Sequence, residues 1–448
     1  MTSLRWTPIV LAALLTALPT SPGVAQAPRS AIATVTAGIA ADIRAKAADA
    51  VIFAGPLESD EHAPRGSDLV AKVQALVAGA LGPRVNARPE RVTLAAAQSL
   101  GHKAKALVYL KVEVARGEVR LSADLYRMGR TVWERIKQPS VMPMSHAFAS
   151  ARMDAEVRGY LAPVPILAKR VERAAIEDRD IMAVACGDVD SDGALELFVV
   201  SRRRVAVGRV RGGRFAALGV AQFADLSPIA PAPLREPLAG VVVLQGRPGV
   251  VDVGITDRAR GSRLDGKLRP VGSIAGVPFT VPEGDACLTF QGTTLNPIVK
   301  KCADEDPAFE PVDVAPGVDA IVRVTTIGSD GTPRVVDARR DPISRDVVVR
   351  AGTIAASLPR SGAQVAIADL DGDGDPEIVS TLDALASAGP AAVDDAVVIR
   401  SLRTGGRLED RARVPVPSGV RAIAACPPDA PGPAPIVVAT AGELWVVR

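Results

Sequence analysis

Two short acidic stretches contain the residues of this chain whose types and spacing could do chemistry. One runs from Asp188 to Glu196 and the other from Asp369 to Glu377. Both carry carboxylates at the first, third, fifth and ninth positions, and a glycine follows the fifth. Ca²⁺ takes roughly six to eight oxygen ligands in a flexible cage, and glycine permits the left-handed bend that wraps a loop around an ion. The spacing therefore predicts two Ca²⁺ sites, in segments that we call loop 1 and loop 2.

Apolar runs of β type flank both loops, so each loop is predicted to join the two strands of a hairpin. The EF-hand, another calcium loop, places a bidentate glutamate at its twelfth position between two helices. The twelfth positions here are Val199 and Ser380, and the acid stands at the ninth position instead. The remaining alternative is a pair of acidic turns, in which Asp and Gly are common. Plain turns do not need four carboxylates close together, because like charges repel.

Both loops resemble the calcium loops of FG-GAP/VCBS repeats, which occur in the integrin α-chain β-propeller and in many bacterial secreted proteins. In that family the loop joins two strands of a propeller blade. Side chains at the first, third, fifth and ninth positions and the carbonyl at the seventh bind Ca²⁺. The resemblance therefore implies these ligands: Asp188, Asp190, Asp192, Ala194 and Glu196 in loop 1, and Asp369, Asp371, Asp373, Asp375 and Glu377 in loop 2.

Residues 1–27 have the pattern of an export signal. Arg5 gives a positive start, an apolar stretch runs from Pro8 to Leu18, and Ala25-Gln26-Ala27 is a small-residue cleavage site. The apolar stretch is too short for a membrane span, so we expect an exported protein of the periplasm, the medium or the cell surface. A net charge of +3 with 48% hydrophobic residues indicates neither disorder nor a nucleic-acid partner.

Four cysteines in an exported chain can pair in three ways. Cys287 and Cys302 flank a plausible hairpin. Cys186 and Cys426 each end an Ala-rich strand, and they would meet if the first and last blades were neighbours in a closed ring. Free buried thiols are the alternative, since cysteine is often a small core residue. The exported compartment favours disulfides.

Residues 31–160 are predicted to form an α+β domain. The helices are expected at Ala31–Ala48, from an N-cap at Ser67 to Leu81, at Thr93–Leu100 and at Ser145–Leu161. The strands are expected at Ala50–Ala54, Ala106–Val114, Val119–Tyr126 and Thr131–Ile136. This order, and the phrase from Ala104 to Ile136, resembles the N-terminal domain of periplasmic TolB proteins, in which a β-propeller also follows. Pro163-Val164-Pro165 then makes a stiff hinge.

Residues 166–448 consist of short β runs and turns, with internal repeats that favour a propeller over a sandwich. Each acidic loop is followed by a Val-rich run and a Gly-Gly-Arg turn, at 212–214 and at 405–407. Further hairpins are expected around residues 241–251, around Gly328–Gly331 and at 423–447. We therefore predict an FG-GAP/VCBS-like propeller of about six blades, with seven as the alternative count. The strand Ile166–Ala174 is expected to complete the last blade and close the ring.

The motifs of common enzyme classes are absent from the sequence: no G-x-S-x-G, H-E-x-x-H, P-loop or G-x-G-x-x-G after a strand occurs. The three histidines (His62, His102 and His146) all precede the propeller region. The leading hypothesis is a non-catalytic calcium-binding propeller that binds a protein or a glycan in the cell envelope. The alternatives are a secreted propeller-type hydrolase or lyase, whose facing carboxylates would do the chemistry, and a structural or adhesive surface protein.

Overall fold

The computed structural model describes a chain that is mostly β, with helices concentrated in its N-terminal part. The described residues are 29–47, 49–128, 142–190, 192–226, 238–244, 249–258, 260–279, 286–290, 297–302, 320–383, 395–403, 405–428 and 432–448. The export signal expected at 1–27 and the strand expected at Thr131–Ile136 lie outside them. No helix in these ranges is long and apolar enough to cross a membrane.

The described residues of the N-terminal part form a six-stranded sheet with helices packed on it. Its strands are β1 (Ala50–Ala54), β2 (Glu58–Ser59), β3 (Asn86–Arg91), β4 (Ala106–Ala115), β5 (Glu118–Arg127) and β6 (Ser145–Arg152). Its helices are α1 (Ala31–Ile43), α2 (Gly66–Leu81), α3 (Leu94–Leu100) and α4 (Ala155–Arg158), with a 3₁₀ turn at Gly101–Lys103. The strand order is β3-β1-β4-β5-β6, and β2 pairs with β4.

Burial patterns explain how these elements pack. Along α1 the apolar residues Ile32, Val35, Ile39 and Ile43 recur at helical spacing, and all are buried against the sheet in one core cluster. The same cluster takes the buried face of α2 and the inward side chains of β4 and β5. A second cluster, on the face that holds Phe53, includes Ala97 of α3. The sheet is thus covered by helices on both faces.

The structure corrects two of the sequence-based predictions here. Residues 145–161 are not one helix: β6 pairs antiparallel with β5 from Ser145 to Arg152, and only α4 is helical. The alanines of this segment have good helix propensity, but pairing with β5 overrides it. Ser67 is not an N-cap, because α2 begins at Gly66 and its cap residue is Arg65, with no side-chain cap. The helix expected at Thr93–Leu100 is present as α3, and Thr93 is its N-cap, with a side chain that accepts from the Ala96 N–H.

Five sheets are formed by the described residues of the C-terminal part. The first contains β7 (Val171–Ala175), β8 (Ile181–Gly187), β9 (Glu196–Ser201), β10 (Arg204–Arg211) and β11 (Arg214–Gln222), together with the last three strands of the chain, β27 (Ala422–Ala425), β28 (Ile436–Ala439) and β29 (Glu443–Val447). The short helix α5 (Phe223–Leu226) follows β11. The second sheet contains β12 (Ala239–Val243), β13 (Val250–Ile255), β14 (Gly261–Asp265) and β15 (Pro270–Ile274).

Three further sheets complete this part. They contain β16 (Val277–Phe279), β17 (Ala286–Phe290) and β18 (Pro297–Lys301); β19 (Ala320–Ile327), β20 (Pro333–Arg340), β21 (Val347–Ala351) and β22 (Ile354–Leu358); and β23 (Ser361–Ala368), β24 (Glu377–Leu382), β25 (Ala396–Arg403) and β26 (Arg407–Pro415). The hairpins expected around 241–251 and at Gly328–Gly331 are confirmed as β12–β13 and β19–β20. The arrangement is β-propeller-like.

The first strands of successive strand groups contact one another. Contacts join β8 to β12, β12 to β16, β16 to β19, β19 to β23, β23 to β27 and β27 back to β8. The strand β7 precedes all of these in sequence, yet it pairs antiparallel with the last strand, β29, from Val171 to Ala175. The strand expected at Ile166–Ala174 thus begins later, at Val171, and its expected pairing with the last strand of the chain is confirmed.

Both disulfides favoured by the sequence are present. Cys186 is bonded to Cys426 across a sequence separation of 240 residues, and Cys287 is bonded to Cys302 across 15. Cys186 lies in β8 and Cys426 follows β27, so the first bond joins two strands that also contact each other. Two disulfides are compatible with an exported protein.

Candidate metal centre

Loop 1 joins β8 to β9 and loop 2 joins β23 to β24, so both are strand–loop–strand hairpins as predicted. Strand pairing places Glu196 opposite Gly187 and Glu377 opposite Ala368. The ninth-position acid of each loop therefore lies beside the residue that precedes the first position. The glycine after the fifth position has a left-handed backbone in each loop, with φ of 84° at Gly193 and 90° at Gly374. A residue with a side chain is strained in this conformation.

The same backbone hydrogen bonds shape both loops. Glu196 Oε2 accepts from the Val189 N–H at 2.9 Å, and Glu377 Oε2 accepts from the Leu370 N–H at 2.7 Å. The first-position aspartate accepts from the sixth-position N–H in each loop, at 3.0 Å in loop 1 and 3.1 Å in loop 2. These bonds hold the carboxylates at the centre of the loop rather than on its outer surface.

Three of the five predicted ligands come together in each loop. Oxygens of the first-, third- and ninth-position acids lie within 4.8 Å of one another: Asp188, Asp190 and Glu196 in loop 1, and Asp369, Asp371 and Glu377 in loop 2. The fifth-position acids, Asp192 and Asp373, are not in these groups. Each caps the seventh-position N–H instead, at 2.9 Å and 2.8 Å.

An arginine of β10 that the sequence analysis did not identify reaches the carboxylates of loop 1. Arg209 of β10 donates through Nε to Glu196 Oε1 at 2.5 Å, and its Nη2 lies 2.8 Å from Asp192 Oδ2 and 3.2 Å from Asp190 Oδ2. The hydrogen bonds to Glu196 and then to Asp192 raise the pKa of Arg209 above its ordinary value. One guanidinium thus bridges carboxylates at the third, fifth and ninth positions.

Loop 2 is neutralised differently. Arg403 pairs with Asp373 at 2.7 Å and with the Asp375 side chain at 2.9 Å, and Arg411 pairs with Asp371 at 3.0 Å. Within the described parts of the chain, no arginine or lysine pairs with the two remaining acids, Asp369 and Glu377. Asp369 Oδ1 is buried and has no hydrogen-bond partner among them, which is unfavourable for a carboxylate oxygen.

The electrostatics of loop 2 follow from this arrangement. Burial, with the charges of Asp373 and Asp371, raises the pKa of Asp369 to about 7. Burial, with the charge of Asp371, raises the pKa of Glu377 to about 8. Loop 2 therefore fits a hard divalent cation, which would give the orphaned Asp369 oxygen a partner and would offset the buried negative charge. Asp369, Asp371 and Glu377 are the residues placed to hold it.

The N-terminal part contacts loop 2 through α4. Arg158 packs on Gly372, where an added Cβ would lie 2.9 Å from the arginine Cγ. The same guanidinium forms a bidentate salt bridge with Glu61: Nη1 donates to Oε2, and Nη2 donates to Oε1 at 3.3 Å. Glu156, also in α4, lies against Gly331 of the β19–β20 turn. A Cβ added at Gly331 would lie 2.8 Å from the Glu156 Cδ. The sequence analysis did not predict these contacts, because it assigned residues 145–161 to one helix.

Replacing Gly372 by valine is expected to loosen the N-terminal part from loop 2. The backbone φ of 72° already disfavours a side chain there, and the new atoms would displace Arg158. Gly352→Val is the matched control, since its φ is 59° and its Cβ would meet nothing within 4 Å. Limited proteolysis of the 159–170 segment should be faster in Gly372→Val alone. Equal rates in both variants would contradict the contact.

A cavity of about 1730 Å³ lies between the N-terminal part and the first strands of the C-terminal sheets. Its walls include β8, β12, β19, β23 and β27, and both acidic loops border it. Glu61, Arg116, Arg152, Asp154 and Arg158 of the N-terminal part line it as well. The described fold and loops together define a β-propeller-like protein whose acidic hairpins lie at the end of a central cavity that the N-terminal part covers.

Comparisons with known proteins add little to this description. No family model and no curated protein matches the sequence. Among solved structures, TolB from Acinetobacter baumannii is 10% identical, with a TM-score of 0.29 over 90% of this chain and 94% of that one. A member of the DUF4221 family from Bacteroides vulgatus is 8% identical, with a TM-score of 0.37 over 64% of this chain and 97% of that one. Similarity at this level carries no argument about function.

Proposed function

We propose that this chain is an exported, non-catalytic, calcium-binding propeller that acts as a protein- or glycan-binding module in the cell envelope. The observation that carries the calcium assignment is loop 2, where Asp369 and Glu377 are packed together without a cationic side chain from the described residues. Ca²⁺ binds the folded state alone and so stabilises it by mass action. Sites in extracellular modules have dissociation constants of roughly 10⁻⁴ to 10⁻³ M, which suits a structural ion.

We further infer a closed ring of six blades that resembles FG-GAP/VCBS propellers. Six described strands support this count, each as the innermost strand of a blade and each in contact with the next: β8, β12, β16, β19, β23 and β27. The last blade would combine β27, β28 and β29 with β7, so that strands from both ends of the region share one sheet. Such a ring leaves few free edges for unwanted pairing.

The cavity supports a binding role for the ring. One end of the cavity lies opposite loop 1, where β8 and β27 begin. Asp180, Arg202 and Arg421 line this end. Charged side chains at the end of a largely aliphatic channel suit recognition of a polar partner by hydrogen bonds. The loop end is covered by the N-terminal part, so the cation would fix the position of one domain while the other end meets the partner.

Replacing Asp371 by alanine is expected to lower the melting temperature in calcium and to change it little in chelator. In calcium, the change removes one ligand of the cation. In chelator, it removes a carboxylate that repels its buried neighbours, which offsets the other contacts that are lost. Each kcal/mol lost should lower the melting temperature by about 1 °C, because the unfolding entropy of about 2.1 cal/mol/K per residue is large for a chain of this length. Differential scanning calorimetry with and without chelator measures both values.

Asp410→Ala is the control for that experiment, because Asp410 is 77% exposed and pairs with Arg400 outside the loop. Its effect should be small and independent of calcium. A melting temperature that falls equally with and without chelator in Asp371→Ala would contradict the calcium assignment.

The binding role is tested by cross-linking the purified mature protein to envelope extract in calcium and in chelator. A discrete protein or glycan partner that is recovered from wild type in calcium, and is lost with Asp371→Ala, is the expected result. Turnover of glycoside or ester substrates by a variant that no longer binds calcium would instead favour the hydrolase or lyase alternative.

A further inference from the structure

The residue that faces the ninth-position glutamate across the ladder differs between the two loops. In loop 1 the pairing of β9 with β10 brings Glu196 opposite Arg209, one residue beyond the last paired position. In loop 2 the pairing of β24 with β25 brings Glu377 opposite Ser401. The aligned sequences are Arg209-Val210-Arg211 and Ser401-Leu402-Arg403. The second arginine is therefore common to both loops, and the first is particular to loop 1.

The Arg209 guanidinium lies among the carboxylates that would bind a metal ion in loop 1. Its guanidinium bridges the carboxylates of Asp190, Asp192 and Glu196, at the third, fifth and ninth positions. Only 14% of the arginine side chain is exposed, and Glu196 is 2% exposed, so the pair is shielded from water. The guanidinium carries a permanent charge and several donors in one plane, and a divalent cation entering the same space would be repelled by it.

Ser401 cannot do the same for loop 2. Its hydroxyl donates to Glu377 Oε1 at 2.6 Å but carries no charge. The arginines near loop 2 pair with its other acids: Arg403 pairs with Asp373 and Asp375, and Arg411 pairs with Asp371. Neither contacts Asp369 or Glu377, the two acids at the base of the loop.

We propose that Arg209 is an internal cation of loop 1, so that loop 1 closes without a metal ion and Ca²⁺ binds at loop 2 alone. This inference rests on the proposed calcium function of loop 2 and narrows the two predicted sites to one. It also divides the ring by function. The junction beside the Cys186–Cys426 bond is held without calcium, while the loop that contacts the N-terminal part through Arg158 depends on it.

A reciprocal exchange of the two cross-strand residues tests the proposal. Equilibrium dialysis of the full mature chain against CaCl₂ at about 5 mM, above the range of weak extracellular sites, should find about one Ca²⁺ per wild-type chain. Arg209→Ser should bind about two, because the internal cation is gone, and Ser401→Arg should bind none. Arg209→Lys retains a positive charge and should bind as wild type does.

Thermal melting provides a second readout of the same variants. Arg209→Ser should melt lower than wild type in chelator and should regain most of the difference in calcium, whereas Arg209→Lys should depend on calcium no more than wild type. If Arg209→Ser does not fold, Ser401→Arg and Arg209→Lys still decide the question. Loss of calcium binding in Ser401→Arg, with wild-type binding in Arg209→Lys, supports the proposal.

The outcomes separate this inference from the function on which it rests. About two Ca²⁺ per wild-type chain would overturn the role of Arg209 and leave the calcium function intact. No binding by wild type together with binding by Arg209→Ser would support Arg209 as the internal cation and overturn the assignment at loop 2. No binding by any variant would overturn both.

Discussion

Alanine at both Cys186 and Cys426 is expected to lower the free energy of unfolding by about 5 kcal/mol, the value that chain entropy gives for a loop of this length. The bond spans 240 residues. It links β8 to the segment that follows β27, where the start and the end of the propeller-like region meet. Without it, closure depends on the pairing of β7 with β29 and on contacts between β8 and β27.

Urea unfolding of wild type and variant, at equal calcium, gives the comparison. The matched control is alanine at both Cys287 and Cys302, whose bond spans only 15 residues. Both pairs are buried, so the local loss of sulfur packing is similar, but chain entropy gives only about 3 kcal/mol for the shorter loop. An equal or larger loss from the short-loop variant would show that the long disulfide does not hold the ends of this region together.

Local patterns in the sequence predicted the features that depend on neighbouring residues. The acidic loops, their flanking strands and the hairpins β12–β13 and β19–β20 are each contained in a short stretch of chain, so spacing and alternation suffice to find them. The pairing of Cys186 with Cys426 was accessible for a different reason. Matching Ala-rich strands at the two ends of the region indicated equivalent places in a repeated structure.

Features that depend on distant residues were missed. The segment Ser145–Arg152 became a strand because β5 lies beside it, against the helix propensity of its alanines. The strand β3 was not predicted, because Asn86–Arg91 is polar and contains a proline, and only parallel pairing with β1 makes it a strand. The contrast between Arg209 and Ser401 was visible in the repeat itself. It acquires meaning only when the ladder register places each opposite the ninth-position glutamate.

The calcium-free protein is expected to lose stability as the pH rises from about 4 to about 8. The pKa of Asp369 is raised to about 7 from 3.8, and that of Glu377 to about 8 from 4.5. Between these values the folded state holds protons that the unfolded chain has released, so the stabilisation is complete below the unfolded pKa values and disappears as the pH passes the folded ones. The loss is at most about 4–5 kcal/mol for each group, at about 1.4 kcal/mol per pH unit.

Urea unfolding in chelator at about pH 5 and about pH 8 measures this loss directly. Acids whose pKa is lowered by hydrogen bonds, such as Asp330, lose their contribution to stability only at lower pH. They therefore do not affect the comparison between these two pH values. Asp369→Asn keeps an oxygen for the Gly374 N–H and removes one titrating group, so its pH dependence should be smaller. Calcium favours the ionised carboxylates and should abolish or reverse the trend in wild type. Chelated wild type that is as stable at the higher pH as at the lower would mean that these two carboxylates are not buried without a counter-ion, and the argument for a cation at loop 2 would then fail.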